Sequence, residues 1–497
     1  MSSETPPIGK IKYKPVDRSQ TSLQVLDYEC LIEAHHPARI IWELAGKMNL
    51  EPFARNCKTR EGEVGRACWP PRLLVSVWVY AYTQRVASAR AIERLTAYEP
   101  GLRWLTAGQE VNYHTLADFR VDHREALEKL FAEFLAMLDQ AGVVNLKTIL
   151  QDGTKMKAVA GNGSFHRRHT LEKRLKAARK VLKKLDREAT QDEKMDERRQ
   201  AAQKRAAREA VARGEAALKE LEKREAGTPP SEHADLRVSH SESETRKMKD
   251  GHGGYQAGYN MQVSTEVQSR IIVAVGLTSE TNDLHQLIPA LDRLEQSGLP
   301  TPQTVIADNG YATRDNVEQM AERKVEFVAP WKDDAARQAG PSVRSGIAKE
   351  FTASAFQQQA RGQQLLCPDG KTLVVIQQKK HHGIPKVMFQ AKAADCARCQ
   401  FLRQCCGHRG GPRRVELPVE SKAMREYLAR MRRSAMKKLY KKRAEIAEFP
   451  HMWIKGVQNL RQFSVRGIVK AGTEALWMAL AYNVTQWIRL RPAVATA

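Results

Sequence analysis

A chain of 497 residues with 42% hydrophobic content is long enough for two or three ordinary globular domains and is not a disordered tail protein. Its 81 Lys and Arg against 57 Asp and Glu give a formal charge of +24, an excess that repels itself unless a polyanion neutralises it, with nucleic acid as the leading candidate. No apolar run approaches the roughly eighteen residues that span a bilayer, and residues 1–7 lack a signal-peptide core, so a cytoplasmic protein with no membrane partner is expected.

After an N-terminal extension (1–35), residues 36–142 read as an all-helical domain, with apolar residues at three-and-four spacing through 71–82 and 126–138. Stretches 88–94 and 114–120 suit the helices of a helix-turn-helix that presents Arg90 and Arg120 to DNA; a helical bundle with solvated arginines fits the same pattern. Residues 143–165 open a different regime, in which an apolar run ends at Asp152 and meets Gly153. Segment 166–230 is almost wholly Lys, Arg, Glu, Ala, Gln and Leu as far as about residue 226, where a Thr-Pro-Pro-Ser linker follows. It predicts a solvated antiparallel helical hairpin with seams at Leu171, Leu175, Ala178, Leu182 and Leu185 and at Leu218 and Leu221, turning near 189–193.

In 231–335 sheet signals return: strands over 258–265 and 270–278 joined by a short polar turn, a helix over 284–294, and a strand that runs out at Asp308 beside Gly310. Segment 336–415 is Cys-rich. Cys367, Cys396, Cys399 and Cys405 have the spacing of a tetrahedral thiolate site for one structural Zn²⁺, with Cys406 an equal choice for the fourth ligand and reduced buried thiols the alternative. In 416–497 a basic run from 425 to 443 leads into Glu448 and reads as a track for phosphates. Two strand-end aspartates and a glutamate suit one task. Hydrolysing a phosphodiester needs an activated water and charge stabilisation on the leaving oxygen, and a pair of Mg²⁺ (or Mn²⁺) ions held by Asp152, Asp308 and Glu448 supplies both.

The stretches at 152–155 and 307–311, with Tyr440, Arg443, Glu448 and Lys455 at their spacings, resemble the DDE transposases of bacterial insertion sequences. Residues 36–39, 114–120, 258–262, 460–467 and 480–483 extend the likeness through most of the chain. The resemblance implies an α/β protein with an all-α N-terminal domain. Its ribonuclease-H-like mixed-sheet core would be interrupted by the helical hairpin and by a Cys-rich insertion that some family members share. It implies metal-dependent cleavage and strand transfer on double-stranded DNA, both terminal inverted repeats and target, by a homo-oligomer associated with the nucleoid. Tyr440, Arg443 and Lys455 would contact phosphates near the cut. Glu448, rather than Glu445, keeps the family's offsets to Arg443 and Lys455, although His451-Met452 replaces the usual Phe-Gly. A non-catalytic DNA-binding derivative and a metal-dependent nuclease are the alternatives.

Overall fold

The computed structural model describes residues 26–55, 57, 67–188, 197–251, 253–331, 346–359, 363–381 and 384–491. The N-terminal part is built from helices α1 (Pro37–Gly46), α2 (Pro71–Thr83), α3 (Ala89–Leu95), α4 (Pro100–Leu105), α5 (Tyr113–Asp122) and α6 (Arg124–Gln140). Proline at the first helical position starts α2 without losing a needed N–H, and residues 73–82 are buried all round, as expected of a helix that is apolar on every side. Ser88 and Asn112 cap α3 and α5. Helix α4 lies between them, so they are not joined by the short turn of a simple helix-turn-helix. Cys57 and Cys68 form a disulfide that the low cysteine count did not suggest.

The central sheet is mixed. Its strands are β1 (Thr148–Lys157), β4 (Arg246–Lys249), β5 (Tyr255–Glu266), β6 (Ile272–Thr278), β7 (Thr304–Ala307) and β8 (Glu326–Val328), in the order β4-β5-β1-β7-β8 with β6 also on β5. The short pair β2 (Phe165–His166) and β3 (Val238–Ser239) stands apart from it. Helices α9 (Leu287–Gln296) and α10 (Arg314–Glu322) connect β6 to β7 and β7 to β8. The β5–β6 hairpin, the following helix and the strand before Asp308 fall where the pattern predicts them. Asp152 does not end a strand: β1 runs on to Lys157, antiparallel to β5 down to Gly258. The parallel ladder with β7, however, ends at Gln151 and Ala307. Asp152 and Asp308 are thus the first residues beyond that ladder on two neighbouring strands.

Helices α7 (Arg168–Glu188) and α8 (Glu197–Ala226) lie antiparallel, tied by Arg168 to Glu225 and by Arg179 to Glu215. Leu171, Ala217 and Leu221 are buried with Val238 at the base. Farther out Ala178, Leu182 and Leu185 are only half-buried, and the turn expected at 189–193 lies outside the described residues.

A second, antiparallel sheet follows from β9 (Gln357–Gln359), β10 (Gln364–Leu366), β11 (Thr372–His381), β12 (Ile384–Ala391) and β13 (Arg414–Pro418). The short helices α11 (Ala393–Ala397) and α12 (Leu402–Cys406) pack on it. Helices α13 (Lys422–Met431), α14 (Ser434–Lys441) and α15 (Arg443–Met452) return the chain to the central sheet, and a π-turn at Trp453–Val457 leads to α16 (Ile468–Leu490). Most of α16 is buried between the sheet and the N-terminal helices, in one apolar core that joins both. Among the described residues no helix is long and apolar enough to cross a membrane.

Arg120 is turned into this core. It is 5% exposed, donates from Nη1 to Ala87 O at 2.7 Å, lies 3.5 Å from Glu474 of α16 and covers the Trp78 ring. Its expected place on a DNA-facing surface is therefore corrected: the guanidinium neutralises a buried carboxylate instead. Arg90 is exposed on α3, over the Tyr113 ring.

Candidate active site

Beyond the last parallel pair of β1 and β7, the carboxylates of Asp152 and Asp308 share one cation. Arg443, at the start of α15, brings Nη2 to 2.9 Å from Asp152 Oδ1 and 3.9 Å from Asp308 Oδ2. Helix α15 is held over this corner because Ile446 and Ala447 pack with Leu150, Ile306 and Val328 from the strands beneath. Asp308 is fixed by its own turn, where Gly310 N donates to Oδ1 at 2.7 Å; a Cβ on Gly310 would come within 2.8 Å of the same oxygen. His451 approaches Asp152 from the other side, with Nε2 3.4 Å from Oδ2.

The two acids are driven apart electrostatically. Burial raises Asp152, but the hydrogen bond and charge of His451 and the charge of Arg443 outweigh it, so the carboxyl lies below its ordinary range. Asp308 lies above its ordinary range, chiefly through burial, with Asp152 and Asp283 adding to the shift. Arg443 is partly desolvated, yet its two aspartates hold it firmly protonated. Two neighbouring carboxyls pushed in opposite directions beside a fixed cation form the kind of perturbed cluster that marks a candidate functional site.

Glu448 is exposed on α15 and, among the described residues, its carboxylate has no hydrogen-bond or ion-pair partner. Glu445 turns away to Arg270. It is His451, three residues after Glu448, that meets Asp152. Lys455 is not a free surface lysine: its ammonium donates to Thr154 Oγ1 and, at 2.8 Å, to Lys155 O, so it braces β1. Tyr440 is half-buried, and lines a cleft of about 750 Å³ with Trp331, Leu428 and Met431, with Lys437 and Lys441 also on its lining.

Sequence reading missed Asp283, which follows β6. Its Oδ1 accepts from Asn260 Nδ2 and Gln262 Nε2, each at 2.7 Å, and lies 3.8 Å from Lys155 Nζ. Only Gly153 permits this approach, since a Cβ there would stand 2.5 Å from Asp283 Oδ1. The signal available was the Lys155 side chain in the 152–155 stretch, whose charge needs a partner on that face.

Cys367, Cys396, Cys399, Cys405 and Cys406 do converge, around a cavity of about 30 Å³. Backbone N–H groups of Lys371, Phe401 and Arg413 donate to the sulfurs of Cys367, Cys399 and Cys396 at 3.2, 3.4 and 3.4 Å. Burial raises Cys405 to about 12 and raises Cys399 and Cys406 as well. Among the described residues, no three His, Cys, Asp or Glu side chains are grouped so as to hold a metal ion, either here or around Asp152. Asp152 and Asp308 nevertheless have the hard oxygen donors that a divalent cation takes, and a positive group already stands against both.

Residues 26–122 match a transposase domain (DUF772), and residues 233–484 match a transposase DDE domain. Asp152 lies between the two matches; Asp308, Glu448 and Lys455 lie within the second. No curated protein matches the chain. A cryo-EM structure of the piggyBac transposase synaptic complex with hairpin DNA is similar over 92% of this chain and 83% of its own, at 9% identity and a TM-score of 0.26, a likeness too low to carry an argument. The DDE match alone spans just over half of the 497 residues, and the chain belongs to the transposase DDE domain family.

Proposed function

We propose that this protein is the transposase of an insertion sequence, which binds terminal inverted repeats, cleaves a strand at each end and transfers it to target DNA. The observation that carries the reading is the pairing of Asp152 and Asp308 at the level where the β1–β7 ladder stops, with Arg443 against both. The mixed sheet is then read as a ribonuclease-H-like core. Asp152 and Asp308, joined by Glu448, would hold Mg²⁺ or Mn²⁺, two ions in all. When bound, such ions lower the pKa of a coordinated water and stabilise charge on the leaving oxygen.

The chain's own groups have separate tasks. Arg443 offers charge to a phosphate at the corner, His451 orients Asp152, and Lys455 keeps β1 straight while one of its three donors stays free for a phosphate. Arg90, Tyr440 and the basic helices α13 and α14 would track the backbone of double-stranded DNA. Assembly of two copies would bring two ends together.

Asp152→Asn and Asp308→Asn should each abolish Mg²⁺-dependent nicking of a duplex carrying the element's end, while binding changes little. Nicking at the wild-type rate by either variant would sink the site. The exposed position of Glu448 favours one second reading, a DNA-binding derivative without catalysis. Tight binding without nicking by the unaltered protein, at any concentration of Mg²⁺ or Mn²⁺, would select it.

The gathered thiols support a structural Zn²⁺ on Cys367, Cys396, Cys399 and one of Cys405 or Cys406. Three of the sulfurs already accept backbone N–H groups, as the ligands of a thiolate site do from the donors around them, and structural zinc contributes directly to folding free energy. Elemental analysis should find about one zinc per chain, and chelation should loosen residues 363–418 in hydrogen exchange before the central sheet. Metal-free protein with the same exchange pattern would exclude the site.

A further inference from the structure

Alternation along β1 puts Gln151, Gly153 and Lys155 on the face opposite Asp152. That face carries a polar network. Gln151 Nε2 and Tyr311 Oη donate to Gln262 Oε1 at 2.8 and 2.6 Å, and Gln262 passes its own Nε2 to Asp283. Asn260, Gln262 and Tyr311 are each at most 1% exposed, so the network has little freedom to rearrange. It draws residues from three segments onto one carboxylate.

Asp283 faces Lys155 Nζ at 3.8 Å, beyond hydrogen-bonding distance, and Nζ is buried with no hydrogen-bond partner. Asn260 Oδ1, on the residue directly opposite Lys155 in the β1–β5 register, is likewise buried and without a partner. Three ammonium donors therefore stand unused in a place where the backbone around them is pinned by Lys455. Asp152 and Asp308 also attract this ammonium, although burial is the largest influence on it and lowers its proton affinity. An ammonium that is fixed, desolvated and unbonded, and that still feels the charges of Asp152 and Asp308 from the other face of β1, is arranged to receive an anionic oxygen.

We propose that Lys155 is a further catalytic residue, donating a hydrogen bond to an oxygen of the scissile DNA phosphate, and that Asp283 is the positioning residue that holds it there. This rests on the reading of the chain as a strand-cleaving enzyme. The contact moves no proton and adds no bond to the phosphoryl transfer. It supplies charge where charge develops, an effect whose removal in other enzymes lowers rates by about 10²–10³-fold.

The test uses the full-length protein and a duplex carrying the element's end, with single methylphosphonates placed in turn across the cut region. Lys155→Met should lower single-turnover cleavage at saturating DNA by about 10²–10³-fold while weakening binding only a few-fold, and Lys155→Arg should recover part of the rate. Asp283→Asn should slow cleavage by about tenfold and add nothing to Lys155→Met, as expected of two residues acting as a unit. In EDTA, one methylphosphonate should weaken binding by the wild type and leave Lys155→Met unaffected. Cleavage by Lys155→Met at the wild-type rate, or an unchanged response of that variant to every methylphosphonate, would overturn the proposal. Complete loss of cutting in Asp283→Asn that Mn²⁺ restores would make Asp283 a metal ligand instead and overturn its positioning role. If the wild type binds but never cuts, the strand-cleavage reading fails, and the methylphosphonate comparison still decides whether Lys155 meets a phosphate.

Discussion

Gly153 is the residue on which the far face of the site turns. A methyl group there would lie 2.5 Å from both Asp283 Oδ1 and Gln262 Nε2, which are hydrogen-bonded to each other, and 3.0 Å from Asn260 Oδ1. Gly153→Ala should therefore lower stability by about 1–3 kcal/mol, the usual range for overpacking, seen as a reduced melting temperature together with slower nicking. Gly163→Ala, where a Cβ meets nothing within 4 Å, should melt as the wild type does. That Asp152 and Asp308 come together was legible from the sequence, because an apolar run that meets a carboxylate and a glycine is a local signal, although at Asp152 that signal marks the end of the parallel ladder and not of the strand. Asp283, His451 and the inward turn of Arg120 were not. Each depends on how distant segments register: β5 against β1, the phase of α15, and the packing of α16 on the N-terminal helices.

The element that best separates local from tertiary cause is the α7–α8 pair. Its composition makes helix by itself, and the charged residues pair across it, but only the base has an apolar core. Leu171 is 1% exposed among Ala217, Leu221 and Val238, whereas Leu182 is half-buried on a seam of alanine and charge. Leu171→Ala should cost about 2–5 kcal/mol, as for a buried leucine, and should raise hydrogen exchange in α7, α8 and β3 together. Leu182→Ala should change exchange only near the tip; equal effects from both would mean that the seam is continuous. The existence of these helices was readable from composition. The length of β1 was not, because Gly153 looks like a strand terminator until β5 is available to pair through it, and the antiparallel sheet over 357–418 gave little alternating pattern among its glutamines and lysines.

At the scale of the molecule, one buried ion pair fastens the N-terminal helices to the C-terminal helix that backs the sheet. Glu474 is fully buried; it accepts from Ser464 N and Oγ at 2.8 and 2.7 Å and faces Arg120 at 3.5 Å. Removing one partner strands a charge, so Arg120→Met should destabilise the protein by about 3–5 kcal/mol. Arg120→Met with Glu474→Met should recover only part, because the Ser464 donors then lack an acceptor. The pH dependence has a definite sign. Burial raises the Glu474 carboxyl above its ordinary 4.5 despite Arg120, so ionising it costs stability as pH rises through the window above that value, and losing Arg120 enlarges the cost. The gap between wild type and Arg120→Met in denaturant unfolding should be widest near neutrality and narrow as pH falls toward about 5. DNA binding supplies the second reading. A phosphate-contacting arginine would take about 0.9 from the slope of log affinity against log salt when lost, whereas Arg120→Met, folded at low temperature, should leave that slope unchanged and Arg90→Met should lower it. A shallower slope in Arg120→Met alone would mean that this guanidinium leaves the core when DNA binds.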